Sequence, residues 1–98
     1  MAQVIYSLHA LKDLDRIDEF FADDRQAAAD ALLRIFACIE LLDTSPELGR
    51  PVRGRRRELV ISRGKTGYLA LYDYDPEADL VCVLRVRHQR EAGYPPGP

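Results

Sequence analysis

The segment Leu80-Val81-Cys82-Val83-Leu84-Arg85-Val86-Arg87-His88 decides the architecture. Its first half is apolar on both faces, as expected of a central strand. Further along, Arg85 and Arg87 share one face, and Leu84, Val86 and His88 point to the other. Working backwards, Asp75-Pro76-Glu77-Ala78-Asp79 is a turn and Tyr68 to Tyr74 a partner strand, with Tyr68, Tyr72 and Tyr74 on one face as sheet packing. Arg63-Gly64-Lys65-Thr66-Gly67 is a glycine-bearing hairpin turn, and Glu58 to Ser62 is the strand before it. Residues 46–57 show no period and contain Pro46, Gly49, Pro51 and Gly54, so they read as a loop.

The N-terminal half is helical. Gln3 to Tyr6 is a short β-prone run, and Ser7 is a candidate N-cap. Leu8, Leu11, Leu14, Ile17 and Phe21 recur at spacings of three and four, with Lys12, Asp13, Asp15, Arg16, Asp18 and Glu19 on the other face. Asp23 or Asp24 caps a second helix from about Arg25 to Asp43, whose stripe is Ala28, Leu32, Ile35, Phe36, Ile39 and Leu42. The short joint implies an antiparallel hairpin, and Thr44-Ser45-Pro46 ends it. The expected fold is α+β in the order β-α-α-β-β-β: two helices on one face of a small, twisted, largely antiparallel sheet, with the other face open. One domain spans residues 1–94, and Pro95-Pro96-Gly97-Pro98 reads as a frayed tail.

At 98 residues with formal net charge -2, the chain suits one modest core. No run approaches the roughly 18 apolar residues of a membrane span, and the start lacks a basic region followed by a long apolar stretch. A cytoplasmic protein without membrane contact is expected. Cys38 and Cys82 stand apart in apolar surroundings and read as inert thiols, not metal ligands. The charge is unevenly spread. Between Arg50 and Lys65 lie Arg50, Arg53, Arg55, Arg56, Arg57, Arg63 and Lys65 against the lone Glu58, whereas Leu8 to Glu47 holds ten acidic and four basic residues. A cationic stretch on an acidic chain calls for an anionic partner, a nucleic acid or an acidic protein segment.

Arg85 and Arg87, with Arg90 and Tyr94 following and Arg63 and Lys65 at the same rim, form a set able to stabilise phosphorane charge, with His88 or Tyr94 carrying a proton. The plainer reading pairs Arg85 or Arg87 with Asp73, Asp75 or Glu91 and makes His88 a structural hydrogen-bonder. His9 reads as a surface residue, and Arg55-Arg56-Arg57 as a solvated loop patch or a dock for acidic side chains. Gly64-Lys65-Thr66-Gly67 is too short for a phosphate loop, no His/Cys cluster suits zinc, and no serine sits in a hydrolase elbow. No cofactor or metal is expected.

The chain resembles the RelE/ParE superfamily of toxins from bacterial type II toxin–antitoxin systems. The resemblance is carried by Ala10-x-x-Asp13-Leu14-x-x-Ile17, Ser45-Pro46-x-Leu48-Gly49-Arg50-Pro51-Val52, Arg57-Glu58-Leu59, Gly67-Tyr68-x-x-Leu71-Tyr72 and Arg87-His88-Gln89-Arg90-Glu91-Ala92-Gly93-Tyr94. It implies a compact toxin neutralised by a cognate antitoxin with an amphipathic binding segment. It also implies one of two activities. RelE-like members cut messenger RNA on the ribosome, which here would use Arg63, Arg85, Arg90 and Tyr94. ParE-like members inhibit DNA gyrase and are not known as nucleases. Leu69 stands where a nuclease-type arginine would follow Gly67-Tyr68, and the second helix is acidic and alanine-rich instead of lysine-rich, so the resemblance favours the ParE-like branch. A degenerate toxin that only binds antitoxin is the remaining alternative. For target or antitoxin binding the candidates are Arg55, Arg56, Arg57, Arg63, Lys65, Arg87 and His88.

Overall fold

A computed structural model describes residues 1–62, 67–91 and 93. The order is β1 (Gln3–Tyr6), α1 (Leu8–Phe20), α2 (Arg25–Glu40), a 3-10 turn (Leu41–Asp43), β2 (Arg50–Arg53), β3 (Arg56–Val60), β4 (Tyr68–Asp75) and β5 (Leu80–His88). The sheet order is β1-β5-β4-β3-β2, with β1 parallel to β5 and every other pair antiparallel. The segment that is apolar on both faces is thus an interior strand. Both helices begin at the expected caps: Ser7 Oγ accepts from Ala10 N–H at 3.1 Å and Asp24 Oδ1 from Ala27 N–H at 3.0 Å. Among the described residues, no helix is long and apolar enough to cross a membrane.

The stretch 46–57 is not all loop. Arg50–Arg53 pairs with β3 through the two-residue turn Gly54-Arg55, where Gly54 takes φ +57°. Alternation does not mark β2 because the strand is fully exposed, and its Pro51 is tolerated because it lies at the sheet edge. The loop before it is fastened by a buried tyrosine. Tyr72 Oη donates to Pro46 O at 2.7 Å and accepts from Gly49 N–H at 2.9 Å. A Cβ on Gly49 would lie 2.7 Å from Tyr72 Cε1 and 2.9 Å from Glu58 O, so no side chain fits there.

The core lies between the helices and one sheet face. Ile35, Ile39 and Leu42 from the helical side meet Tyr72, Val81, Val83 and Val86 from the sheet, all fully buried. Each such aliphatic side chain contributes roughly 1.5–3 kcal/mol. Two features depart from the sequence reading. Leu8 and Leu11 are exposed, and α1 buries Ala10, Asp13, Leu14 and Ile17, so Asp13 belongs to the inner face. Phe36 is 36% exposed, with its ring edge-on to Tyr6 at 5.9 Å, so the weight of α2 falls on Ile35 and Ile39.

Ile35→Ala should therefore destabilise by about 2–5 kcal/mol in chemical denaturation, clearly more than Phe36→Ala. Equal losses would contradict this core. Tyr72→Phe leaves a buried N–H and a carbonyl unpaired and should cost about 1–3 kcal/mol. Burial pushes the Tyr72 hydroxyl above its ordinary 10.0, partly opposed by the Gly49 N–H. The unfolded chain then releases that proton first, so stability is complete below pH 10 and falls as pH rises beyond it. Melting curves from pH 9 to 12 should show this fall, flattened in Tyr72→Phe.

Candidate functional site

Strand β1 ends at Tyr6, leaving the second half of β5 without a strand on that side. Helix α1 takes over the exposed backbone. Ser7 Oγ donates to Leu84 O at 2.9 Å, Asp13 Oδ2 accepts from Val86 N–H at 2.9 Å, and Arg16 Nη2 donates to Val86 O at 3.3 Å. Glu91 Oε2 then accepts from His88 N–H at 3.0 Å. Asp13, only 4% exposed, also holds Arg85 through Nε at 2.8 Å and Nη2 at 3.1 Å. A bidentate guanidinium is what allows a carboxylate to be buried there. Arg16 joins Asp13 at 3.6 Å and forms a close ion pair with Glu91.

The turn after β5 is built from the same groups. Arg87 Nη1 donates to Glu91 O at 2.8 Å, Gln89 N–H donates to Gly67 O at 2.9 Å, and the Gln89 amide donates to Ser62 O. His88 Nδ1 accepts from Arg90 N–H at 3.0 Å while its ring stands edge-on to Tyr68 at 5.3 Å. Through Nδ1, His88 helps hold the turn that follows β5.

Among the described residues, the predicted cations lie on both sides of the sheet. Register places Arg85 opposite Leu71 and Arg87 opposite Leu69 on the helix-free face. His88 and Arg90 line a cleft on the other side, between the helical hairpin and the ends of β4 and β5. Arg63, Lys65 and Tyr94 lie outside the described residues. The Arg50–Lys65 stretch is also less cationic in space than in sequence. Arg50 pairs with Glu58 at 2.8 Å, and Arg55 pairs with Asp73 at 3.2 Å and Asp75 at 3.3 Å. Arg57 donates to Gly49 O at 2.8 Å and Glu47 O at 3.2 Å, which pins the loop. Arg53 and Arg56 sit opposite one another across β2 and β3, without an ion pair among the described residues.

The cleft has a volume of about 990 Å³, with walls of Ile17, Phe20, Phe21, Ala31 and Tyr68 and a rim that mixes Arg34 and Arg90 with Glu19 and Asp30. Phe20 is 82% exposed and packs edge-on against Phe21. Burial raises the Tyr68 hydroxyl above its ordinary value, against the pull of nearby Arg34, so it stays protonated at neutral pH. An apolar floor with a charge-balanced rim suits a protein segment better than a polyanion. Among the described residues no cluster of His, Cys, Asp and Glu could hold a metal. Cys38 and Cys82 are half-buried free thiols; Cys38 Sγ donates to Ile61 O at 3.5 Å, and burial, with Asp73 nearby, pushes the Cys82 thiol up.

Residues 4–93 match the family described as the ParE toxin of type II toxin–antitoxin system, parDE. The chain belongs to this family. It is 33% identical over 92 residues to Toxin RelE3 of Caulobacter vibrioides, covering 93% of this chain and 98% of the relative. Its fold is similar to that in the chromosomal ParDE system from P. aeruginosa (TM-score 0.72, 20% identity, 90% of this chain and 96% of that one). It is also similar to the toxin–antitoxin complex RelBE2 from Mycobacterium tuberculosis (TM-score 0.61, 25% identity, 90% and 98%). The chain is thus a toxin of the type II toxin–antitoxin class.

The network missed by sequence reasoning centres on Asp13. Its signal was available: Asp13 shares its helix face with Ala10, Leu14 and Ile17, and an acid at apolar spacing needs a buried cation. Asp13→Ala should destabilise by about 3–5 kcal/mol in urea unfolding, since Arg85 and the Val86 N–H lose their partner. A loss below 1 kcal/mol would show the pair to be dispensable.

Proposed function

We propose that this toxin is held inactive by a cognate antitoxin in the cytoplasm and acts by inhibiting DNA gyrase without cutting nucleic acid. The observation that carries this reading is the division, among the described residues, of the candidate cations between the two sides of the sheet. Arg85 holds Asp13 through two hydrogen bonds, and Arg87 pairs in register with Leu69, where a nuclease would place a further cation. Arg90 and His88 face the cleft on the other side. A phosphoryl-transfer site needs its charges converging within hydrogen-bond reach of one group. The apolar cleft with its mixed rim supports a protein partner, as do the toxin–antitoxin assemblies named for both structural neighbours. Arg53 and Arg56, which make no ion pair among the described residues, remain candidates for steering acidic partner residues, a role that affects association rate more than affinity.

The second reading, a ribosome-dependent messenger-RNA endonuclease, is favoured by the name of the Caulobacter relative, and rests on Arg63, Arg85, Arg90 and Tyr94. Purified toxin assayed in parallel on gyrase supercoiling and on cell-free translation separates the two. Gyrase should be inhibited, with translation unaffected and messenger RNA intact. Ribosome-dependent cleavage lost in Arg90→Ala would establish the nuclease instead. A toxin inert in both assays would be the degenerate form, and either result overturns the proposal.

A further inference from the structure

The outer face of α2 carries a pattern that, apart from the edge contact of Phe36 with Tyr6, neither the core nor the cleft floor uses. At 3.6 residues per turn, Ala29, Leu33 and Ala37 form one row, with Phe36 on one flank and Asp30 and Arg34 on the other. All six are exposed, Leu33 to 67%. Asp30 and Arg34 make no ion pair among the described residues, although Gln26 Nε2 donates to one Asp30 oxygen at 2.9 Å.

This face is complementary to itself in one orientation. Let a second copy of α2 lie antiparallel about a two-fold axis crossing the helix near residue 32. Asp30 then meets the second copy's Arg34, and Arg34 its Asp30, both on the same flank. Leu33 packs beside the other Leu33 at the axis, and Phe36 lies over the small Ala29. A parallel two-fold pair instead sets the Asp30–Arg34 flank of each copy against the other's Phe36 flank, so neither charge meets an opposite one. Charge pattern and side-chain size therefore select the same geometry, an isologous pair. We propose that the free toxin self-associates through α2 as an antiparallel two-fold dimer. A single pair of 16-residue helices lies at the small end of specific interfaces, below about 1,200 Å², so the dimer is weak and reversible.

Sedimentation equilibrium of the purified toxin tests this, with circular dichroism confirming the fold of each surface variant. The wild-type mass should rise from 11.1 kDa towards twice that value as concentration increases through the micromolar range. Asp30→Arg and Arg34→Asp should each weaken association by about tenfold or more, because each sets like charges against one another. Mixing these two variants should restore a heterodimer, since one copy then presents two cations on that flank and the other two anions. Leu33→Glu should abolish association. A wild type that stays monomeric, single reversals that dimerise normally, or a mixture that stays monomeric would each overturn the proposal. A monomeric wild type whose Leu33→Glu variant loses antitoxin affinity would overturn it too and assign the face to the antitoxin.

Discussion

Much of this structure depends on one carboxylate at a strand edge. The nine-residue β5 receives only a four-residue parallel partner, so part of its backbone would face the interior unpaired. Asp13 fills that role from a helix. Doing so requires a compensating cation, and Arg85 supplies it from the residue adjoining the amide that Asp13 binds. The rotation of α1 follows from this demand. Ala10, Leu14 and Ile17 turn inward with Asp13, and Leu8 and Leu11 are left outside. A register shift in β5 accommodates the same contact: Leu71 pairs with Arg85 but Tyr72 with Val83, so Leu84 is an extra residue and Val81, Val83 and Val86 all reach the core.

The network also redistributes charge. Acids remote in sequence fold onto the arginines, with Asp13 on Arg85, Glu91 on Arg16, Glu47 on Arg57, and Asp73 and Asp75 on Arg55. Exposed pairs of this kind add little stability, typically below about 1 kcal/mol. They matter more by removing field. Among the described residues, a chain that looks polarised on paper pairs many of its arginines with acids, which suits recognition by a protein partner.

Periodicity and capping residues made most of the elements legible before any coordinates. Strands β1 and β5, the caps Ser7 and Asp24, and the inward tyrosines of β4 were all readable because each depends on local chemistry or simple alternation. What escaped were features that only tertiary structure explains. Strand β2 has no inner face and hence no pattern. Asp13 looked like one more acid on a polar helix face until β5 ran out of partner. The candidate cations could be enumerated, but the face of the sheet on which each lies depends on the extra residue at Leu84 and on the turn held by Glu91.

The parallel pairing of β1 with β5 also has a kinetic consequence. Gln3 aligns with Leu80 across most of the chain, whereas the helical hairpin and the β2–β5 meander close over short separations. Loop-closure entropy grows with the logarithm of that separation, so the distant pairing gains its contacts only after the local ones exist. The N-terminal strand therefore docks late, into a slot already shaped by β5 and the helices. Mutational folding kinetics at Val4 would report this as a low fractional effect on the folding rate and a larger one on unfolding.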